Sequence, residues 1–180
     1  MKPVRNLAGR LLLLSTLALG PALPALAFNL DSDEPIRVTA DSARLDDSQG
    51  TAVYRGNVEV RQGEILLTAD RVDVSRNTAG LDRIDASGRP ATYYRPATEA
   101  AGAVNAEALE IHYSASDSLL RFEREAVVEQ NGDEFRGAVI NYNTVNRVVT
   151  GEGRTPEGEG SGRVEMIIQP RGNTSDTNSN

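Results

Sequence analysis

The chain has 180 residues, 26 acidic against 19 basic, a formal charge of −7, and neither cysteine nor tryptophan. This inventory excludes disulfides, thiol chemistry and Cys–His nucleophilic centres. Its acidity argues against capture of nucleic acid or of an anionic membrane surface, both of which need a basic face.

At the N-terminus, Lys2, Arg5 and Arg10 precede an apolar run from Leu11 to Leu19, and Ala25-Leu26-Ala27 follows as a small-x-small site. Residues 1–27 therefore read as a secretory signal peptide cleaved near Ala27, which sends the remainder to the periplasm. The run is shorter than the roughly 20 apolar residues that a membrane span needs. With its three cations removed, 16 basic residues face 26 acidic ones.

Residues 28–35 form a polar, acidic lead that ends at Pro35, after which the sequence alternates. Ile36, Val38 and Ala40 share one side and Arg37, Thr39 and Asp41 the other, the period of a strand with one buried face. Ala43 and Leu45 continue the pattern. Ser48-Gln49-Gly50 is a turn, Gly56-Asn57 interrupts the next run between Tyr54 and Val58, and Gln62-Gly63 connects by a hairpin to Ile65-Leu66-Leu67. Val72 and Val74 lead to a turn at Asn77–Gly80, then Leu81, Ile84 and Ala86 to Ser87-Gly88-Arg89-Pro90. The segment from Arg95 to Ala103 has no clean alternation and reads as a loop between two halves. A second strand set runs through Leu109, Ile111 and Tyr113, through Leu120 and Phe122, and through Ala126 to Val128. Asn131-Gly132 is the strongest hairpin signal, since both residues tolerate positive φ. Beyond Tyr142 and Val149, the glycine- and glutamate-rich stretch from Gly151 to Gly162 reads as an exposed mobile loop. Val164 to Ile168 is a last strand stopped by Pro170, and residues 171–180 a disordered polar tail. The spacing of short strands and turns predicts an all-β domain over 28–170 with almost no helix.

A pattern recurs within these strands. Aligned on Ala40, Ala69, Ala106 and Gly137, four strand-sized copies lie 29, 37 and 31 residues apart, and Val58–Gly63 is echoed by Val127–Gly132. Such repetition points to stacked units that bury a continuous apolar face only when neighbours are present.

No catalytic constellation accompanies it. His112 lies between Ile111 and Tyr113 and so belongs to the opposite, solvent-facing side of its strand, with no base or ligand partner marked beside it in sequence. The acids at Asp31, Asp33 and Glu34 and at Asp46-Asp47 lack the glycine and closing glutamate of a calcium loop, and read as solvated strand ends. The pattern therefore favours binding or scaffolding and calls for no cofactor or metal. One-faced alternation means either two sheets packed into a dry core or splayed sheets lining a groove suited to acyl chains, and periodicity leaves both open.

Pro35-Ile36-Arg37-Val38 with Ala40-Asp41, Tyr54-Arg55-Gly56-Asn57-Val58-Glu59-Val60, Gln62-Gly63, Ala69-Asp70-Arg71-Val72 and Gly88-Arg89-Pro90-Ala91-Thr92-Tyr93-Tyr94 resemble the LptA/OstA family of periplasmic lipopolysaccharide-transport proteins. The similarity runs from the signal peptide to about Pro170. It implies an open, twisted β-jellyroll of antiparallel strands, no enzymatic step, and an apolar interior that accepts the acyl chains of lipid A. It also implies head-to-tail self-association into a bridge, with LptC at the N-terminal edge and LptD at the C-terminal edge. The family's pattern puts Ile36, Val38, Tyr93 and Tyr113 against lipid, and alternation adds Leu45, Val74, Leu109, Ile111, Phe122 and Ile140. Ile36 and Val38 at one end and Val164, Met166 and Ile168 at the other are the candidate pairing edges, because terminal strands leave backbone groups unpaired. One departure stands out: Arg124-Glu125 occupies the place that Gly56-Asn57 holds in the first half, so a glycine-dependent bend is not assured there. An exported structural or polysaccharide-binding β-solenoid with a closed core is the alternative.

Overall fold

The computed structural model describes residue 28 and residues 34–78, 80–99 and 101–170; the signal peptide and the 171–180 tail lie outside them. Among the described residues all regular structure is strand. The elements are β1 (Arg37–Thr39), β2 (Ser42–Asp46), β3 (Thr51–Gln62), β4 (Ile65–Asn77), β5 (Gly80–Arg95), β6 (Val104–Ser114), β7 (Leu119–Gln130), β8 (Asp133–Asn143), β9 (Val149–Glu152) and β10 (Glu165–Ile167). They form one antiparallel sheet in the order β1-β3-β4-β5-β6-β7-β8-β10, with β2 also on β3 and β9 also on β8. Each end strand is thus split in two, and the sheet stays open, with β1 at one edge and β10 at the other.

Tight connections carry the expected chemistry. Gln62 pairs with Ile65 around Gly63, whose φ is 57°. Gln130 pairs with Asp133 around Asn131 and Gly132, at φ 57° and 85°, the double positive-φ turn that matches strand twist. Among its described residues, the link from Pro96 to Ala103 holds an isolated bridge, Thr98 to Ala101. Arg95 underpins it, buried, with Nη1 donating to the Pro96 carbonyl at 3.2 Å and Nη2 to that of Gly102 at 2.9 Å.

A crease crosses every long strand. Register shifts occur at Arg55/Val58, Thr68/Arg71, Ser87/Ala91, Glu107/Glu110 and Glu123/Ala126. At each, the inward stripe skips a step: Ala69 is followed inward by Val72, Ala108 by Ile111 and Gly137 by Ile140, while Ala40 precedes Ala43 between β1 and β2. The small residue marks the point where the sheet folds over into two facing walls, since a bulge adds a residue and bends its strand. This corrects the repeat. The third copy is anchored at Ala108, not Ala106, and the spacings become 29, 39 and 29 residues. The dipeptide Ala106-Glu107 imitates Ala40-Asp41 and Ala69-Asp70, and misleads an alignment made on sequence alone.

At the crease, Gly56 and Asn57 have φ 77° and 45°, and Arg124 and Glu125 have 60° and 57°. The second half therefore makes the same left-handed bend without glycine, at a steric cost for two side-chain-bearing residues. Arg124 is held there by an ion pair with Glu110, whereas Glu125 is exposed. Replacing Glu125 by glycine should raise stability in urea unfolding by about 0.5–1 kcal/mol, the relief of strain exceeding the added entropy of the unfolded chain.

The glycine-rich stretch is exposed, as expected, except at Gly153 and Thr155, and it has internal order. After β9 it turns back on itself, with Thr155 N–H donating to the Glu159 carbonyl at 2.8 Å and Gly162 N–H to that of Gly153 at 2.8 Å. Thr155 is buried. A Cβ on Gly153 would lie 2.2 Å from the Arg163 backbone nitrogen, so this close approach needs glycine.

Candidate functional site

The two walls face each other across an aliphatic and aromatic interior. One carries Val58, Val60, Leu67, Ala91, Tyr93, Val104 and Val128, the other Val72, Ile84, Ile111, Tyr113, Phe122, Ile140 and Tyr142, all buried. The Tyr93 and Phe122 rings meet between them with centroids 6.3 Å apart. Along β5 to β8 large side chains fill the space and the interior is packed shut.

Along β1 to β4 it is not. There the walls splay around a cavity of about 520 Å³ lined by Ile36, Val38, Leu45, Tyr54, Val74 and Ile84, among others. That volume falls within the range of small-molecule sites. Leu45 is 65% exposed at the mouth. Ile36, Val38 and Val74 are half-buried and pack against the core cluster, of which Ile84 is a member. The open mouth and the closed core are thus one continuous apolar surface. Gln62 marks its rim, donating from Nε2 to the Glu34 carbonyl at 3.0 Å.

The structure brings nine of the ten residues expected to line the interior onto this surface, four at the mouth (Ile36, Val38, Leu45, Val74) and five in the packed part (Tyr93, Ile111, Tyr113, Phe122, Ile140). Leu109 is the exception. Plain alternation gives it the face of Ile111, but the crease falls between Ala108 and Ile111, and Leu109 lines instead a separate cavity of about 710 Å³ with Arg124, Arg136 and the glycine-rich segment. Sequence reading missed Phe28, placed in a polar lead yet fully buried between Tyr93 and Tyr113. Its signal was there, as one of only three phenylalanines in the chain.

The outward faces carry polar networks. His112 Nδ1 lies 2.7 Å from Asp85 Oδ1, and its Nε2 is 3.8 Å from Glu110 Oε2. Glu110, His112 and Glu123 bring potential ligand atoms within 4.8 Å of one another. Each already has a partner, however: Glu110 the Arg124 guanidinium, Glu123 that of Arg121, and His112 the Asp85 carboxylate. The Asp85 hydrogen bond raises the His112 imidazole above its ordinary 6.5, outweighing desolvation, with further help from the charges of Asp85, Glu123 and Glu110. A raised folded value means that the pair's contribution is fully present below 6.5 and is lost as pH climbs through the raised value. Asp85→Asn should therefore narrow its stability deficit against the native chain between about pH 6 and about pH 9, by a modest amount because both groups are part-exposed. Parallel urea titrations at the two pH values measure it.

Residues 37–148 match the family model described as LptA/(LptD N-terminal domain) LPS transport protein. The chain belongs to that family. The lipopolysaccharide export system protein LptH of Pseudomonas aeruginosa is 37% identical over 160 residues, covering 87% of this chain and 90% of that protein. LptA of Escherichia coli K12 is 32% identical over 133 residues, 73% of this chain and 71% of that one. The crystal structure of P. aeruginosa LptH, described as the LptA-homologous periplasmic component of the lipopolysaccharide transport device, superposes with a TM-score of 0.71 over 79% of this chain and all of its own. The open β-jellyroll expected from the resemblance is the fold of this LptA-family chain.

Proposed function

We infer that this LptA-family protein carries lipopolysaccharide through the periplasm by holding its acyl chains in the apolar groove, without catalysing a reaction. The observation that carries this reading is the mouth bounded by Ile36, Val38, Leu45 and Val74, an apolar concavity continuous with the buried stripe of an open sheet. Acyl chains need apolar area and little directional bonding, and this surface supplies that. Tyr93, Ile111, Tyr113, Phe122 and Ile140 are the deeper lining. The closed-core alternative accounts for β5 to β8 but not for the splayed half.

Assembly follows from the edges. β1, carrying Val38 and preceded by Ile36, ends the sheet on one side. On the other, β10 is flanked and formed by exposed apolar residues: Val164, Met166, Ile167 and Ile168. Strand addition at such edges would join copies head to tail and extend the groove from one to the next. In this reading LptC pairs at the N-terminal edge and LptD at the C-terminal edge, residues 1–27 are removed near Ala27, 28–170 form one OstA-like domain, and 171–180 are a polar tail. Purification of the exported protein from native envelopes tests the cargo directly. Lipid A species should co-purify and be displaced by added rough lipopolysaccharide; a folded protein free of lipid A that fails to bind the added material would overturn the reading.

A further inference from the structure

Phe28 belongs to no strand, yet its side chain is fully buried in the core cluster. Its ring meets Tyr93 at 6.4 Å and Tyr113 at 5.5 Å, both edge-on. Its carbonyl oxygen accepts a hydrogen bond from Tyr113 Oη at 2.8 Å, away from solvent. This residue therefore fills the space between the two walls with an apolar group and a carbonyl oxygen bonded to a buried hydroxyl, and the cleavage proposed near Ala27 places the exported chain's α-ammonium beside them, a charge that is costly to bury. An ester- or amide-linked acyl chain carries the same apolar group and carbonyl. Two further phenols stand unused nearby: Tyr93 Oη and Tyr142 Oη are buried and have no hydrogen-bond partner among the described residues. Such groups weaken a closed core unless something completes them. Burial keeps the Tyr93 phenol protonated, hence a donor.

We propose that Phe28 sits in the seat of an acyl chain, and that bound lipid displaces it, an acyl carbonyl replacing the Phe28 carbonyl on Tyr113 Oη. The proposal rests on the groove reading above and adds a competitor built into the chain. Ile84 lines the mouth and also belongs to the core cluster around Phe28. A chain entering past Val38 and Leu45 thus reaches this seat along unbroken apolar wall. Self-occupancy lowers apparent affinity by the fraction of molecules whose seat is free.

The test compares the exported wild-type protein with Phe28→Ala, using fluorescently labelled rough lipopolysaccharide as probe. If Phe28 holds the seat nine-tenths of the time, its removal tightens binding about tenfold, while the unfolding midpoint falls. These opposite shifts separate a competitor from an ordinary core residue, which would lose stability without gaining affinity. In parallel, the wild-type sequence labelled with 4-fluorophenylalanine gives fluorine resonances for Phe28, Phe122 and Phe135. The Phe28 signal should move to a solvent-exposed position when lipopolysaccharide saturates the protein, and this decides the matter even if Phe28→Ala does not fold. Binding by wild type with the Phe28 signal unmoved and no gain in affinity for Phe28→Ala would overturn the proposal and leave the groove reading intact. Absence of binding by either protein would overturn both.

Discussion

Replacing Phe122 by alanine is expected to cost about 3–5 kcal/mol, the range for emptying a fully buried aromatic site. Phe122 has no solvent exposure, pairs across the sheet with Ile111 and Ile140, and reaches Tyr93 on the opposite wall. No neighbour can collapse into the space without opening the contact between walls. A loss of that size is a fifth or more of the stability of a typical domain, about 5–15 kcal/mol, and should lower the melting temperature by about 10 °C. Leu45→Ala should change stability by less than about 0.5 kcal/mol, because that side chain is 65% exposed at the mouth. The contrast reads the two halves of the interior directly. Denaturant titration measures both, and a cost for Phe122→Ala below about 1.5 kcal/mol would mean that the β5 to β8 half is not packed shut.

Placing lysine at Val164, Met166 and Ile168 together should abolish concentration-dependent self-association while leaving the monomer folded. The three side chains are 43%, 47% and 65% exposed, so their replacement removes little packing within one chain. β10 pairs through Glu165, Met166 and Ile167 with Arg136, Phe135 and Glu134 of β8, and among the described residues no strand lies on its other side. Lysine on an edge strand opposes pairing with another chain by charge repulsion and by the cost of desolvating each ammonium. Sedimentation velocity over a hundredfold range of concentration should show a single slow species for the triple variant and progressive growth for the native chain. Growth unchanged by the three lysines would count against pairing through β10.

Much of this was legible in the residues. Alternation located the strands, Gln62-Gly63 and Asn131-Gly132 gave two hairpins, and the ordered motifs from Pro35 to Tyr94 identified the family. Part of what escaped traces to the crease. Period-2 reading assumes an unbroken pleat, and a bulge shifts every residue beyond it to the other face. Leu109 was misplaced for this reason, whereas the third repeat was anchored two residues early because Ala106-Glu107 imitates Ala69-Asp70. At Arg124-Glu125 the bend exists without the glycine that announces it at Gly56, because the surrounding ladder imposes left-handed φ on residues that disfavour it. Phe28 escaped for a different reason. It is tied into the core by tertiary contacts, those with Tyr93 and Tyr113 among them, and no local pattern in an acidic lead encodes those. The folding of the 151–162 segment likewise depends on close backbone approach at Gly153, which composition does not reveal.

The groove claim meets its most direct test in photo-crosslinking from single positions in living cells. A benzophenone amino acid at Val38 or Leu45, on the apolar lining, should give lipopolysaccharide adducts, and the same group at Thr39 or Arg44, adjacent but exposed and not lining the groove, should give few or none. Absence of adducts at Val38 and Leu45 in a folded, exported protein, or equal adducts at all four positions, would contradict an acyl-chain groove between these walls.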